Sequence, residues 1–161
     1  MSPAKKPEFE DLLLDVHPMY KDYVSSLHDE LIGSGCTLAL KPASQGLVAS
    51  YVHGATKKTL VNFVFRKSGM IVRIYGAHAA DYLPALEPLP EGMRIKIKKA
   101  PVCRRMLDPT KCNPRCAMGY DFMFDGERLQ KCRIGAFNFG LSEENNPHIR
   151  AFIAREIEAL A

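Results

Sequence analysis

The sequence predicts an α+β fold: a mostly antiparallel sheet, helices near both ends on one face, and a four-cysteine knuckle joined to a β-hairpin. Three observations lead there. Residues 36–76 read as four short β-branched and aromatic runs with brief connections. The two flanks read as amphipathic helices. Four of the five cysteines fall between Cys103 and Cys132 with the spacing C-x8-C-x3-C-x15-C. The chain of 161 residues, 47% hydrophobic and 25% charged, suits a single domain, 1–161, with one packed core and residues 1–7 frayed.

Glu8 to Val16 predict a short helix with acidic residues in its first turn, where the helix dipole favours them. Pro18 ends it and opens a second helix over 18–32. There Tyr20, Tyr23, Val24, Leu27 and Leu31 form a core stripe, and Gly33 is the expected stop. Strands follow at Thr37–Leu40, Leu47–Val52, Leu60–Phe65 and Met70–Tyr75. Their connections are too short for parallel crossovers, so the pairing is antiparallel. Residues 77–87 predict a short helix weakened by Pro84.

Met93 to Lys99 alternates and predicts a strand, with Ile95 and Ile97 facing inward and Arg94, Lys96 and Lys98 outward. Asp125-Gly126 between alternating apolar residues predicts a hairpin with Tyr120, Phe122 and Phe124 on one face. That hairpin sets Cys132 opposite Gly119, so the chain must curl at Met118-Gly119 to bring Cys116 back. Pro109 and Pro114 fix the direction of the intervening loop. The last helix spans 147–160, with Asn146 as N-cap and a stripe of Ile149, Phe152, Ile153, Ile157 and Leu160.

The cysteine segment carries the main chemical signal. Zinc needs four soft donors in tetrahedral array at ~2.3 Å, and Cys103, Cys112, Cys116 and Cys132 can supply them. Four thiolates on Zn²⁺ leave a 2− centre, and Arg104, Arg105, Lys111, Arg115, Lys131 and Arg133 flank it in sequence. The spacing departs from paired C-x2-C, so other readings stay open: an iron–sulfur cluster on the same ligands, packed core thiols, or disulfides. Cys36 reads as a core thiol.

Charge is uneven. Residues 91–135 hold eleven Lys or Arg and five Asp or Glu, a net +6 against −2 for the rest. Arg94, Lys96, Lys98, Arg104 and Arg105 are therefore candidate nucleic-acid contacts through a basic strand face. A solvated sheet face or compensation for thiolates explains the same charges. His53 and His78 follow strands, and a strand-end enzyme site near them is the competing functional class. No G-x-S-x-G, P-loop, H-E-x-x-H or C-x-x-C occurs. No apolar h-region follows the first residues and no apolar run is long enough to span a bilayer, so a cytoplasmic, reducing compartment is the expectation.

The middle of the chain, Asn62-Phe-Val-Phe-Arg-Lys-Ser-Gly-Met-Ile-Val-Arg-Ile to Met93-Arg-Ile-Lys-Ile, resembles small bacterial YdhG-like domains of unknown function. The resemblance implies alternating strands with terminal helices. It leaves the cysteine segment uncovered and implies no activity. The functional expectation is a small cytoplasmic binding module with a structural zinc site on four cysteines.

Overall fold

The structure, a computed structural model, describes residues 6–113, 115–116 and 118–160. The expected frayed start falls largely on residues 1–5, and the loop-directing role of Pro114 on residue 114; both lie outside the described residues. The fold is α+β, with a five-stranded sheet ordered β1-β2-β3-β4-β7 and a two-stranded sheet β5-β6. The chain divides into two compact units, 1–72 and 73–161.

In the first unit, α1 (Phe9–Leu13) and α2 (Lys21–Gly33) precede β1 (Cys36–Ala43), β2 (Gly46–His53), β3 (Thr59–Arg66) and β4 (Gly69–Ile74). The last of these carries the chain into the second unit. β1 pairs with β2 and β2 with β3, both antiparallel, with a register shift at Tyr51/Val52. α2 buries Val24, Leu27 and Leu31 of the expected stripe; Tyr23 is half-buried, and Pro18–Tyr20 form a separate 3-10 turn ahead of the helix, with Tyr20 half-buried as well. The stop of α2 is Gly35, at φ +93°, and not Gly33, which still belongs to the helix. Only glycine enters that left-handed region at no steric cost. Leu12, Leu27, Leu31, Ala49, Tyr51, Val61 and Phe63 form this unit's core, and Cys36 is buried as expected, with its thiol pKa pushed up by burial.

In the second unit, two 3-10 turns, Ala79–Asp81 and Leu83–Leu86, replace the single helix expected over 77–87. Then come α3 (Glu91–Lys99), α4 (Arg104–Leu107), β5 (Tyr120–Phe124), β6 (Glu127–Lys131), β7 (Asn138–Gly140) and α5 (Asn146–Leu160). β7 continues the sheet beside the end of β4, where Ile74 N–H donates to the Phe137 carbonyl at 2.9 Å. The β5-β6 turn has Asp125 at φ 50° and Gly126 at φ 75°, the left-handed pair a tight hairpin needs. Phe122 and Phe124 are buried by it. An aromatic cluster centres on Phe137 and Phe152, whose rings meet edge-on at 4.9 Å, with Tyr82, Phe122 and Phe139 around them. Gly76 lies so close that a Cβ there would come within 2.9 Å of Phe137.

The expected strand 93–99 is a helix. Met93, Ile97 and Ala100 are buried while Ile95 is 40% exposed, an i, i+4, i+7 pattern rather than alternation. Glu91 in the first turn and Lys96, Lys98 and Lys99 in the last complement the helix dipole. Lys131 adds a cation at that same C-terminal end: its Nζ donates to the carbonyls of Lys98 (2.7 Å) and Ala100 (3.0 Å).

Candidate metal centre

Two of the four clustered cysteines are fixed by backbone pairing. Val102 forms an antiparallel bridge to Lys131. Around it, Cys103 N–H donates to the Gln130 carbonyl at 2.9 Å and Cys132 N–H to the Pro101 carbonyl at 2.8 Å. The hairpin register pairs Tyr120 with Lys131, which sets Gly119 opposite Cys132 as the turn position requires. Gly119 lies in close contact with Lys131 and Cys103. Its N–H donates to Cys103 Sγ at 3.4 Å. A Cβ at this position would overlap the Lys131 carbonyl oxygen and approach Cys103 Sγ to 3.0 Å, so glycine is required by close approach. Gly135 is bare for a similar reason, with Pro101 Cδ 2.7 Å from where its Cβ would lie.

The other two cysteines ride on an exposed connection. α4 leads to a 3-10 turn, Pro109–Lys111, whose N-cap Asp108 accepts from Thr110 N–H at 3.0 Å and Thr110 Oγ1 at 2.8 Å. Asn113 then folds the chain again: its Oδ1 accepts from Arg115 N–H at 2.9 Å and its carbonyl from Cys116 N–H at 3.0 Å. Cys112 is exposed, Cys116 and Cys132 half-buried, and Cys103 buried.

The Cys116 pKa is raised, first by burial and then by the facing Cys112 and Cys132, while Arg133 and Arg105 pull it down. Raised thiols of this kind are what a cation or metal must overcome. Arg105 Nε is buried with no hydrogen-bond partner among the described residues. Arg133 lies over the Tyr75 ring, 5.0 Å from its centroid. Among the described residues, no three His, Cys, Asp or Glu side chains are grouped so that they could hold a metal ion. The donor set is chemically right for zinc, with an anchored pair and a looped pair.

The basic face does not form as expected, because its strand is α3. Arg94 and Lys98, four residues apart on that helix, both bind Asp125 of the hairpin turn, with Lys98 Nζ 2.7 Å from Oδ2. Arg94 also covers the Phe124 ring. Lys96 is exposed on the same helix, and Arg104 and Arg105 sit on α4. Two of the five candidate nucleic-acid contacts are thus committed to an internal ion pair.

His53 and His78 belong to different units, and each has a local partner. His53 Nδ1 faces Thr56, whose N–H and Oγ1 both lie at 3.3 Å. His78 is held by a residue the sequence reasoning missed: Glu156, 1% exposed on α5. Its Oε2 faces His78 Nδ1 at 2.8 Å, and its Oε1 accepts from His78 N–H at 3.1 Å and from Tyr82 Oη at 2.6 Å. Burial, then that bond, raises the Tyr82 pKa strongly. Glu156 falls on the buried stripe Ile149, Phe152, Ile153, seven residues beyond the first, and that spacing was the signal available.

No family model, curated protein or solved structure matches this chain. No described helix is long and apolar enough to cross a membrane.

Proposed function

We propose that the chain is a small cytoplasmic binding module whose second unit is stapled by a structural zinc on Cys103, Cys112, Cys116 and Cys132. The observation that carries this reading is the clasp at Gly119. A backbone N–H aimed at Cys103 Sγ, on a residue with no room for a side chain, is the outer support a thiolate ligand needs. Arg105 Nε, buried without a hydrogen-bond partner among the described residues, and the Arg133 charge add compensation for a 2− centre. Four thiolates leave no open coordination position, so the metal's contribution is to fold the 104–118 connection rather than to activate water. Cys112→Ser and Cys132→Ser should each release the metal and lower the melting temperature. If both variants keep one zinc per chain and melt like the wild type, the four-thiolate assignment fails. The same four ligands suit an iron–sulfur cluster, which a brown colour and bound iron would reveal.

A second reading is favoured by one observation. The buried Glu156 carboxylate orients His78 through Nδ1 while the ring stays 40% exposed, the arrangement that presents Nε2 as a proton acceptor. His78→Gln would then abolish an activity while leaving metal content unchanged. Loss of neither, in a screen of ester and phosphate substrates on which the wild type turns over, removes the enzyme reading.

A further inference from the structure

Apart from the cysteines, the second unit contains a cavity of about 320 Å³ between the 85–89 segment and one face of α5. Leu86, Pro88, Leu89 and Phe152 make an apolar floor and wall, and His148 and Arg155 are the polar groups lining it. His148, Phe152 and Arg155 recur at i, i+4 and i+7, so the helix presents them together.

The position of Arg155 is built from behind. Its guanidinium lies 5.6 Å from the centroid of the Tyr82 ring. That ring is pinned in turn, because Tyr82 Oη donates to the buried Glu156 and the ring meets Phe152 edge-on. The contact of Arg155 with the Glu158 carboxylate, at 3.2 Å, is an exposed i,i+3 pair in which Glu158 is 66% exposed. Such pairs are weak and screened by salt, so an incoming anion can replace it.

We propose that this cavity binds a small amphipathic monocarboxylate, its apolar body on Leu86, Leu89 and Phe152 and its carboxylate on Arg155 and His148. An apolar pocket with a few convergent polar groups is the usual form of a small-molecule site. The planar guanidinium matches a carboxylate in two parallel hydrogen bonds. The volume accommodates roughly ten non-hydrogen atoms at the ~30 Å³ share of a water molecule each. The proposal is independent of the zinc reading, since none of these residues lies in the cysteine segment.

The experiment is a titration of the full chain with octanoate, octanol and octylamine, each kept below the concentration at which it aggregates, followed by the methyl resonances of Ala151 and Ala154. Octanoate should shift both methyls and bind about tenfold more tightly than octanol, with octylamine the weakest. Arg155→Met should erase the preference for octanoate over octanol. Ala154→Phe, a change on an exposed wall, should block both ligands. Equal affinity for octanoate and octanol in the wild type overturns the proposal. So does an octanoate preference that survives Arg155→Met, octanoate shifts that map elsewhere, or no binding by either ligand.

Discussion

The two units use their polar groups differently. In the first, buried polarity closes on itself. Asn62, 6% exposed, donates to Ser50 Oγ at 2.8 Å and the Ala49 carbonyl at 3.4 Å. His28 meets Tyr51 Oη at 2.7 Å beneath a stacked Phe9, and burial lowers its pKa. In the second, Glu156 is buried to orient a half-exposed histidine, a cavity carries an arginine, and two thiols are anchored while two ride on an exposed connection. Regular ladders hold the first unit together. Apart from α5, the second unit is built of short elements, so its order depends on particular side chains, and its chemistry sits on those same side chains.

That contrast can be broken by single substitutions. The largest effect is expected for Glu156→Ala, which removes the acceptor of the buried Tyr82 Oη and of the His78 N–H and leaves a cavity. The cost should be about 4 kcal/mol, against about 1 kcal/mol for Asn62→Ala in the first unit, both read from urea denaturation. Equal costs would show that the second unit is no more dependent on individual polar contacts than the first.

Glycines sharpen it further. Gly119→Ala forces a Cβ into the Lys131 carbonyl and should destabilise by about 3 kcal/mol. Gly33→Ala, with nothing within 4 Å and a helical backbone, should stabilise by about 0.5 kcal/mol. Thermal melts of the two variants give the comparison directly.

The difference between the units also explains what the sequence discloses. Residues 36–75 hold β-branched and aromatic runs long enough that all four strands are legible. The Asp125-Gly126 hairpin is legible because its turn demands two left-handed residues. Residues 91–99 mislead because Met93, Ile95 and Ile97 satisfy a period of two, whereas burial selects only Met93 and Ile97. Nine residues are too few for periodicity to decide. β7, three residues long, has no period to read. At the candidate site, cysteine spacing discloses the proposed ligand set, and the hairpin register makes legible where Gly119 meets the return strand. The buried role of Lys131 and the Glu156–His78–Tyr82 cluster depend on contacts 31 to 78 residues apart in sequence, and no local pattern carries those.

A smaller effect comes from pH. Hydrogen bonding by Lys98, then Arg94, holds the Asp125 carboxyl below its ordinary 3.8. A depressed carboxylate contributes stability above its unfolded pKa and loses it as pH falls through the folded value. Wild type should therefore exceed Asp125→Asn in stability near pH 7, and the two should converge below pH 3.8. Asparagine tolerates the positive φ at this turn, so the variant isolates charge. A difference that persists unchanged into acid would place the effect in the turn and not in the ion pairs.

The central claim is that an anchored pair of thiols and a looped pair form one ligand set. The most direct measurement is metal analysis, with a visible spectrum, of protein purified under reducing conditions without added metal. The expected result is colourless protein with one zinc per chain, its four clustered thiols unreactive toward a thiol reagent until a chelator is added. Metal-free protein whose four thiols react at once and independently would contradict it.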